Sequence, residues 1–440
     1  MKSFWRKRLS MLGVLSLSLT AIFDATQVYA QARQPHRTSS QAVDITFWNG
    51  HPSGALKKQM HAEIAWFNDT HPNIHVSYID KYSDVQSITA AMIAGTAPNV
   101  GMPHLDAAQQ FVKNGYLLNL TPYLNGPNGF TKSQIAQDFY PSVWNGRSIS
   151  TGARYILPYE ENGQMVIFYN ADLLKKAGIS SAPTTWAQVE QDAKAVSALG
   201  SQYHGIAWTP SLTQYLVMTA DMGGKIWSSP NRTQFALDNA GAIAALTMLR
   251  DMVANHDMIL TQNYDYQLDY GTGNVGLLIE ASAGWTYDLK SAGGKFVMKA
   301  TPAPAGPTGK AFNYVNGDSL AIFKTGTKAQ QDAAWTFAKW LTSPVVNAAW
   351  DKAANYLPTS AMAAKILKPY YKANPNQGAA FSNPKLWMTD PSANATEFYA
   401  AENAMNNDFL RGLNGQETVQ QAVTNMNTVG NEYLSGKLRG

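Results

Sequence analysis

Residues 43–79 read VDITFWNGHPSGALKKQMHAEIAWFNDTHPNIHVSYI, and their hydrophobic pattern changes period twice. Residues 43–48 are a β-branched and aromatic run, which predicts a strand. Leu56, Met60, Ile64 and Phe67 then return at helical spacing over residues 54–68, and residues 74–79 alternate as a second strand. Strand, helix, strand with a crossover of this length is the unit from which parallel sheets are built. Outward from it the pattern continues: a helix over 85–95, an extended run over 98–105, and a helix over 106–114 stopped by Gly115. Strands follow at 155–159 and 164–169, then a helix over 172–177 closed by Gly178, and Thr185 to Gln188 reads as a capping box. Later strands fall at 275–279, 296–300 and 319–323, among helices at 240–254, 328–342, 344–353, 395–410 and 417–433. The fold class is α/β, and no internal repeat of fixed period is present.

The chain has 440 residues, of which 45% are hydrophobic and only 15% charged, so a large core is available and disorder is excluded as the main organisation. Formal net charge is +4. Met1–Ala30 carries Lys2, Arg6, Lys7 and Arg8 against Asp24 alone, so the remainder is close to neutral. A near-neutral body lacks the basic footprint of a nucleic-acid binder. The basic start, the apolar stretch over 9–23 and Val28-Tyr29-Ala30 read as a secretory signal over residues 1–30, followed by a polar leader over 31–42. The apolar stretch is shorter than the ~20 residues a spanning helix needs. With no cysteine in the chain, disulfides, thiolate metal sites, thiol catalysis and lipid attachment through an N-terminal cysteine are excluded.

Several motifs invite an enzyme reading. Gly271-Thr272-Gly273-Asn274-Val275-Gly276 matches GxGxxG, but it precedes a strand, whereas a dinucleotide loop follows one and opens a helix; a turn is expected. Gly317-Asp318-Ser319-Leu320 spells a serine esterase signature, yet the last histidine, His256, lies upstream of Ser319, where that family places its base downstream. His71 and His75 are separated by Pro72 in an extended approach to a strand and do not share a helical face, so no metal site is expected. Glu160 and Glu161 could serve a glycosidase, but such catalysis needs two carboxylates facing each other across a substrate at ~5–9.5 Å, which neighbours do not provide by themselves. Hydrogen bonding to hydroxyls is the easier role.

Taken together, Thr46-Phe47-Trp48-Asn49, Phe67-Asn68, Gly95-Thr96-Ala97-Pro98-Asn99-Val100, Leu157-Pro158-Tyr159, Ile167 to Ile179, Trp186 after Pro183-Thr184-Thr185, Gly284-Trp285 and Asn355-Tyr356-Leu357-Pro358-Thr359 form an ordered set of landmarks. From about Val43 to the C-terminus the chain resembles the extracellular solute-binding proteins of ABC importers, in the family that includes maltose-binding and glycerol-3-phosphate-binding proteins. The resemblance implies a periplasmic-binding-protein-like (type II) fold of two interleaved lobes with a ligand cleft between them, at 43–157 plus 303–353 and at 158–302 plus 354–440. It also implies hinge closure, a membrane permease as partner, ATP hydrolysis on a separate subunit, and no catalysis or cofactor in this chain. A periplasmic monomer without a lipid anchor is expected.

Positions matching the family's ligand contacts are Trp48, Asn49, Tyr82, Asp106, Glu160, Glu161 (with Asn162), Trp208, Glu280, Trp285, Gly317, Asp318, Tyr356 and Phe398. Sugars present apolar C–H faces and a ring of hydroxyls, which call for flat aromatics and for carboxylates or amides. Trp285 is the leading aromatic candidate, while Trp335, Trp340 and Trp350 on amphipathic helices are assigned to packing. The glycerol-phosphate binders place an arginine where this chain has Phe398, and small hydroxyl residues where it has Glu160 and Glu161. Maltose-type relatives have an aromatic at the Phe398 position. A neutral saccharide is therefore the expected ligand, with sn-glycerol 3-phosphate, a glycerol phosphodiester or a peptide the alternative within the fold, and a secreted glycan hydrolase using Glu160 or Glu161 the alternative of another class.

Overall fold

The computed structural model describes residues 42–50, 54–149, 152–230, 232–389 and 397–438. The signal at residues 1–30 and nearly all of the leader lie outside them. Residues 41–440 form one compact unit. In chain order the strands are β1 (Val43–Trp48), β2 (Ile74–Ile79), β3 (Val100–Gly101), β4 (Ile156–Pro158), β5 (Asn162–Gly163), β6 (Val166–Asn170), β7 (His204–Trp208), β8 (Met258–Leu260), β9 (Val275–Glu280), β10 (Met298–Pro302), β11 (Asn313–Asn316), β12 (Ser319–Ile322) and β13 (Trp387–Met388). They make three sheets, ordered β2-β1-β3-β12-β4, β10-β6-β9-β7-β8 and β13-β11-β5.

In the first sheet β1 runs parallel to β2, with Val43 opposite Ile74 and Trp48 opposite Ile79, and parallel to β3. The crossover helix Gly54–Thr70 buries Met60, Ile64 and Phe67, the positions the helical spacing marks. Asp84 accepts the Ser87 N–H at the start of helix Val85–Ala94, and Gly95 ends it at φ 69°, a left-handed conformation that suits glycine. Strand β12, from far along the chain, inserts antiparallel between β3 and β4. Alternation along β1 sends Ile45 and Phe47 into the core under one face and Trp48 into the core under the other.

The second sheet has β9, β7 and β8 parallel, with β6 antiparallel beside β9 and β10 antiparallel to β6 at the edge. Ile206, Trp208, Leu277 and Ile279 point to one face, packed by helices Leu212–Asp221, Ala240–Ala254, Phe398–Leu413 and Val419–Leu434. Ala207 and Leu278 point to the other, packed by Tyr266, Tyr270 and Trp285 from helices Asp265–Gly271 and Trp285–Ala292. The expected capping box is present: Thr185 and Gln188 satisfy each other's backbone N–H groups. The GxGxxG segment is a turn, with Gly273 at φ 88° between a helix end and β9.

The chain passes from β4 in the first sheet to β6 in the second, and returns from β10 to β12. After helix Pro344–Ala354, packed under the first sheet, it runs to helix Phe398–Leu413 under the second. The third, small sheet sits on two of these passages, with Val315 opposite Gly163 and Asn313 opposite Trp387.

Candidate functional site

Ligands of open parallel sheets sit beyond the carboxyl ends of the strands, and here the passages between the sheets meet beyond those ends. The Glu160 N–H donates to the Asp318 carbonyl at 3.2 Å, the Leu357 N–H to the Glu161 carbonyl at 2.6 Å and the Ser319 N–H to the Pro103 carbonyl at 3.1 Å. Asn162 Oδ1 accepts from Ser282 Oγ at 2.8 Å and from the Ala283 N–H at 3.0 Å, while Asn355 Nδ2 donates to the Ser282 carbonyl at 2.7 Å. Segments 160–163, 282–283, 317–319 and 355–357 are thus one bonded floor. A Cβ on Gly317 would collide with the Glu160 carbonyl oxygen, so only glycine allows this approach.

Beneath the floor lies a polar nest. Arg147 donates to Glu161 Oε1 at 2.8 Å and to the Glu160 carbonyl at 3.2 Å, and neither side chain of the Arg147–Glu161 ion pair has accessible surface. Tyr159 donates to Glu63 Oε2 at 2.5 Å, and Asn347 Nδ2 to the Tyr159 carbonyl at 3.0 Å. Burial raises the Glu63 carboxyl to about 8 and holds Asp351 well above the carboxylate range.

Above the floor stand tyrosines. Tyr82 is 57% exposed, Tyr264 72% and Tyr287 54%. The Tyr82 ring lies on Gly50, where any Cβ would strike it. Its hydroxyl is raised by partial burial and by Asp318, Tyr287, Asp80 and Tyr264 around it. Tyr356, stacked against Trp350 at 12° and 6.4 Å, is raised by burial and then by Glu160, Asp318, Tyr287 and Tyr82. These mutual influences gather Tyr82, Tyr287, Tyr356, Glu160 and Asp318 around one space.

Of the residues expected at the ligand, the structure brings Tyr82, Asp318, Tyr356 and Gly317 together there, with Glu160 beside them but only 2% exposed. Asp106 stands nearby at the start of helix Leu105–Lys113, lowered by its bond to His104 Nδ1 at 3.0 Å. Trp48 and Asn49 end β1 as buried residues: Lys81 lies over the Trp48 ring at 4.1 Å and Asn49 Nδ2 meets Met102 Sδ at 3.0 Å. Glu280 is a buried residue at the end of β9, raised to about 7 by burial. Four more of the expected side chains are enclosed by protein in the conformation described. Glu161 is enclosed with Arg147. Trp208, 1% exposed, donates to Gln214 and packs on Phe409; Trp285, 4% exposed, packs edge-on to Phe168 at 5.5 Å; Phe398, 2% exposed, sits among Trp227, Phe235 and Tyr399. Their ring faces are already covered by protein.

Sequence reasoning missed Tyr264, Tyr287 and Tyr399. Tyr287 is two residues past Trp285 and Tyr399 one past Phe398, and rotation of about 100° per residue in a helix sets inner and outer positions apart. Ser319 Oγ is buried, and among the described residues no histidine or other group is hydrogen-bonded to it. Among the described residues no group of three His, Asp or Glu side chains could hold a metal ion, and no helix is long and apolar enough to cross a membrane.

Two α/β bodies with a polar, aromatic space at their crossing define a two-lobed binding protein. The model of the family described as bacterial extracellular solute-binding protein matches residues 49–348, and the chain belongs to that family, whose members are binding proteins of transporters. A chain of Brucella abortus named as a binding protein is 26% identical over 306 residues, covering 67% of this chain and 70% of its own. Among solved structures, the cyclic α-maltosyl-1,6-maltose binding protein of Arthrobacter globiformis superimposes with TM-score 0.77 at 18% identity over 90% of this chain and 100% of its own. UgpB of Mycobacterium tuberculosis, solved in complex with glycerophosphocholine, gives 0.74 at 20% identity over 90% and 100%.

Proposed function

We propose that this chain captures a neutral mono- or oligosaccharide between its lobes and delivers it, unchanged, to the permease pair of an ABC importer. The observation that carries the reading is the pairing of a hydrogen-bonding floor, with the part-exposed Asp318 and the buried Glu160 beside it, with the exposed rings of Tyr82, Tyr264 and Tyr287 and the part-buried Tyr356. Carboxylates accept from hydroxyls and tyrosine faces stack on sugar C–H surfaces. The lobes are 43–157 plus 303–353 and 158–302 plus 354–440, closing about the floor by a hinge motion. Residues 1–30 are a cleaved signal, and the mature protein works as a free monomer in the periplasm. Hydrolysis is disfavoured because Glu161, enclosed with Arg147, does not face Glu160 across a substrate.

Thermal melting against a panel of mono- and oligosaccharides tests this. Ligand at one hundred times its Kd adds about 2.7 kcal/mol to the folded state, a readable upward shift. A saccharide should give it, recovered uncleaved afterwards. A response to sn-glycerol 3-phosphate or glycerophosphocholine alone would overturn the neutral-sugar reading, and cleaved sugar would overturn the transport one.

A further inference from the structure

The two sides of the cleft are built differently. Tyr264 and Tyr287 belong to the layer on one face of the second sheet, beside Tyr266, Tyr270 and Trp285. Tyr399 belongs to the layer on the opposite face, next to Phe398, Ala401 and Phe409. Tyr399 is backed by aromatics: its ring meets Phe398 at 5.8 Å and 85°, and Phe398 in turn meets Trp227 at 6.2 Å and Phe235 at 6.1 Å. From the first sheet, His104 reaches across to Tyr399, ring to ring at 6.3 Å and 63°. His104 is aimed by Asp106, whose Oδ1 accepts both from the imidazole Nδ1 at 3.0 Å and from the Ala107 N–H at 2.7 Å. Aromatic pairs at ~4.5–7 Å are in edge contact and leave no room for a third ring between them. On the other side Tyr82, Tyr264 and Tyr287 are each more than half exposed.

We propose that His104 and Tyr399 form an end stop, so that the cleft holds the terminal unit of a linear oligosaccharide while the rest of the chain leaves past Tyr82, Tyr264 and Tyr287. The inference rests on the carbohydrate reading above. It makes Tyr399 and His104 specificity-determining residues: they select for a free chain end and against chains that must thread through.

The probes are short linear glucans and galactans with both ends free, the same chains carrying a bulky fluorophore at the reducing or the non-reducing end, and cyclic glucans, each titrated by calorimetry into the full mature chain. One singly blocked chain should bind like the free one, and the other, with the cyclic form, at least about tenfold more weakly, the ratio that corresponds to one excluded contact of ~1.4 kcal/mol. In the His104→Ala/Tyr399→Ala double variant that ratio should drop to about threefold or less, whereas Tyr399→Phe should keep it. Cyclic or doubly blocked chains binding as well as free ones to the unaltered protein would overturn the end stop and leave the carbohydrate reading standing. No response to any probe would remove both. The comparison on the unaltered protein stands whether or not the double variant folds.

Discussion

On the floor of the cleft, Glu160, Glu161, Asn162, Asn355 and Leu357 are tied by backbone and amide bonds and Arg147 has no exposed side-chain surface; on the rim, Tyr82, Tyr264 and Tyr287 are each more than half exposed. The backbone groups, Asn162, Asn355 and the Arg147–Glu161 pair bond one another, so the geometry that holds Asp318 is set within the fold and a change there is felt by the fold. The rim keeps its rings available, so a change there is felt by the ligand. On the function proposed above, the enclosed floor groups carry folding, while the rim tyrosines, with Asp318, carry recognition.

The sharpest way to break this division is Arg147→Ala. It strands the buried Glu161 carboxylate, and removing one partner of such a pair costs about 3–5 kcal/mol, read as a large fall in melting temperature; Arg147→Met with Glu161→Gln should recover most of it. Next comes pH. Burial lifts Glu63 from 4.5 to about 8, so the folded protein holds a proton there that the unfolded chain gives up above about 4.5. A raised carboxyl contributes stability fully below the unfolded value and loses it as pH rises through the folded one. Stability, followed by melting temperature, should therefore decline from about pH 4.5 to about pH 8 by on the order of a few kcal/mol and level off above that, and Glu63→Gln should flatten part of the decline. Gly317→Ala, which forces a Cβ onto the Glu160 carbonyl, should cost about 1–3 kcal/mol and loosen ligand binding by shifting Asp318. Smallest for the fold are Tyr82→Ala and Tyr287→Ala: melting without ligand should stay within about 0.5 kcal/mol of the parent, while calorimetry should show affinity lower by ~1 kcal/mol each. If the tyrosine changes unfold the protein and Arg147→Ala does not, floor and rim have been assigned the wrong way round.

Much of the architecture was legible in sequence because it rests on local pattern. Strands β1 and β2 and helix Ala240–Ala254 fall where periodicity sets them, and Trp335 and Trp350 pack inward on the amphipathic helices that carry them. Two of the elements that escaped are almost wholly buried. Strand β7 is five residues with a glycine, HGIAW, enclosed from Gly205 to Trp208 and without alternation; helix Leu212–Asp221 is buried on nearly every side, so it shows no polar face. The place of β12 between β3 and β4 follows from tertiary pairing that no local pattern encodes; the lobe interleaving was implied only by family resemblance. At the site, a tryptophan and the tyrosine beside it look alike in sequence. Which one faces outward depends on the rotation of a single turn, and this put Trp285 and Phe398 inside, with Tyr287 exposed and Tyr399 meeting His104 from the other lobe.

The late arrival of β12 has a consequence for the chain as it is made. The gap between β3 and β4 is filled by residues 319–322, so the first sheet cannot close until about three quarters of the polypeptide has left the ribosome. Until then two strand edges stand open on the growing chain, and such edges invite pairing with other chains well before there is a cleft with which to hold anything.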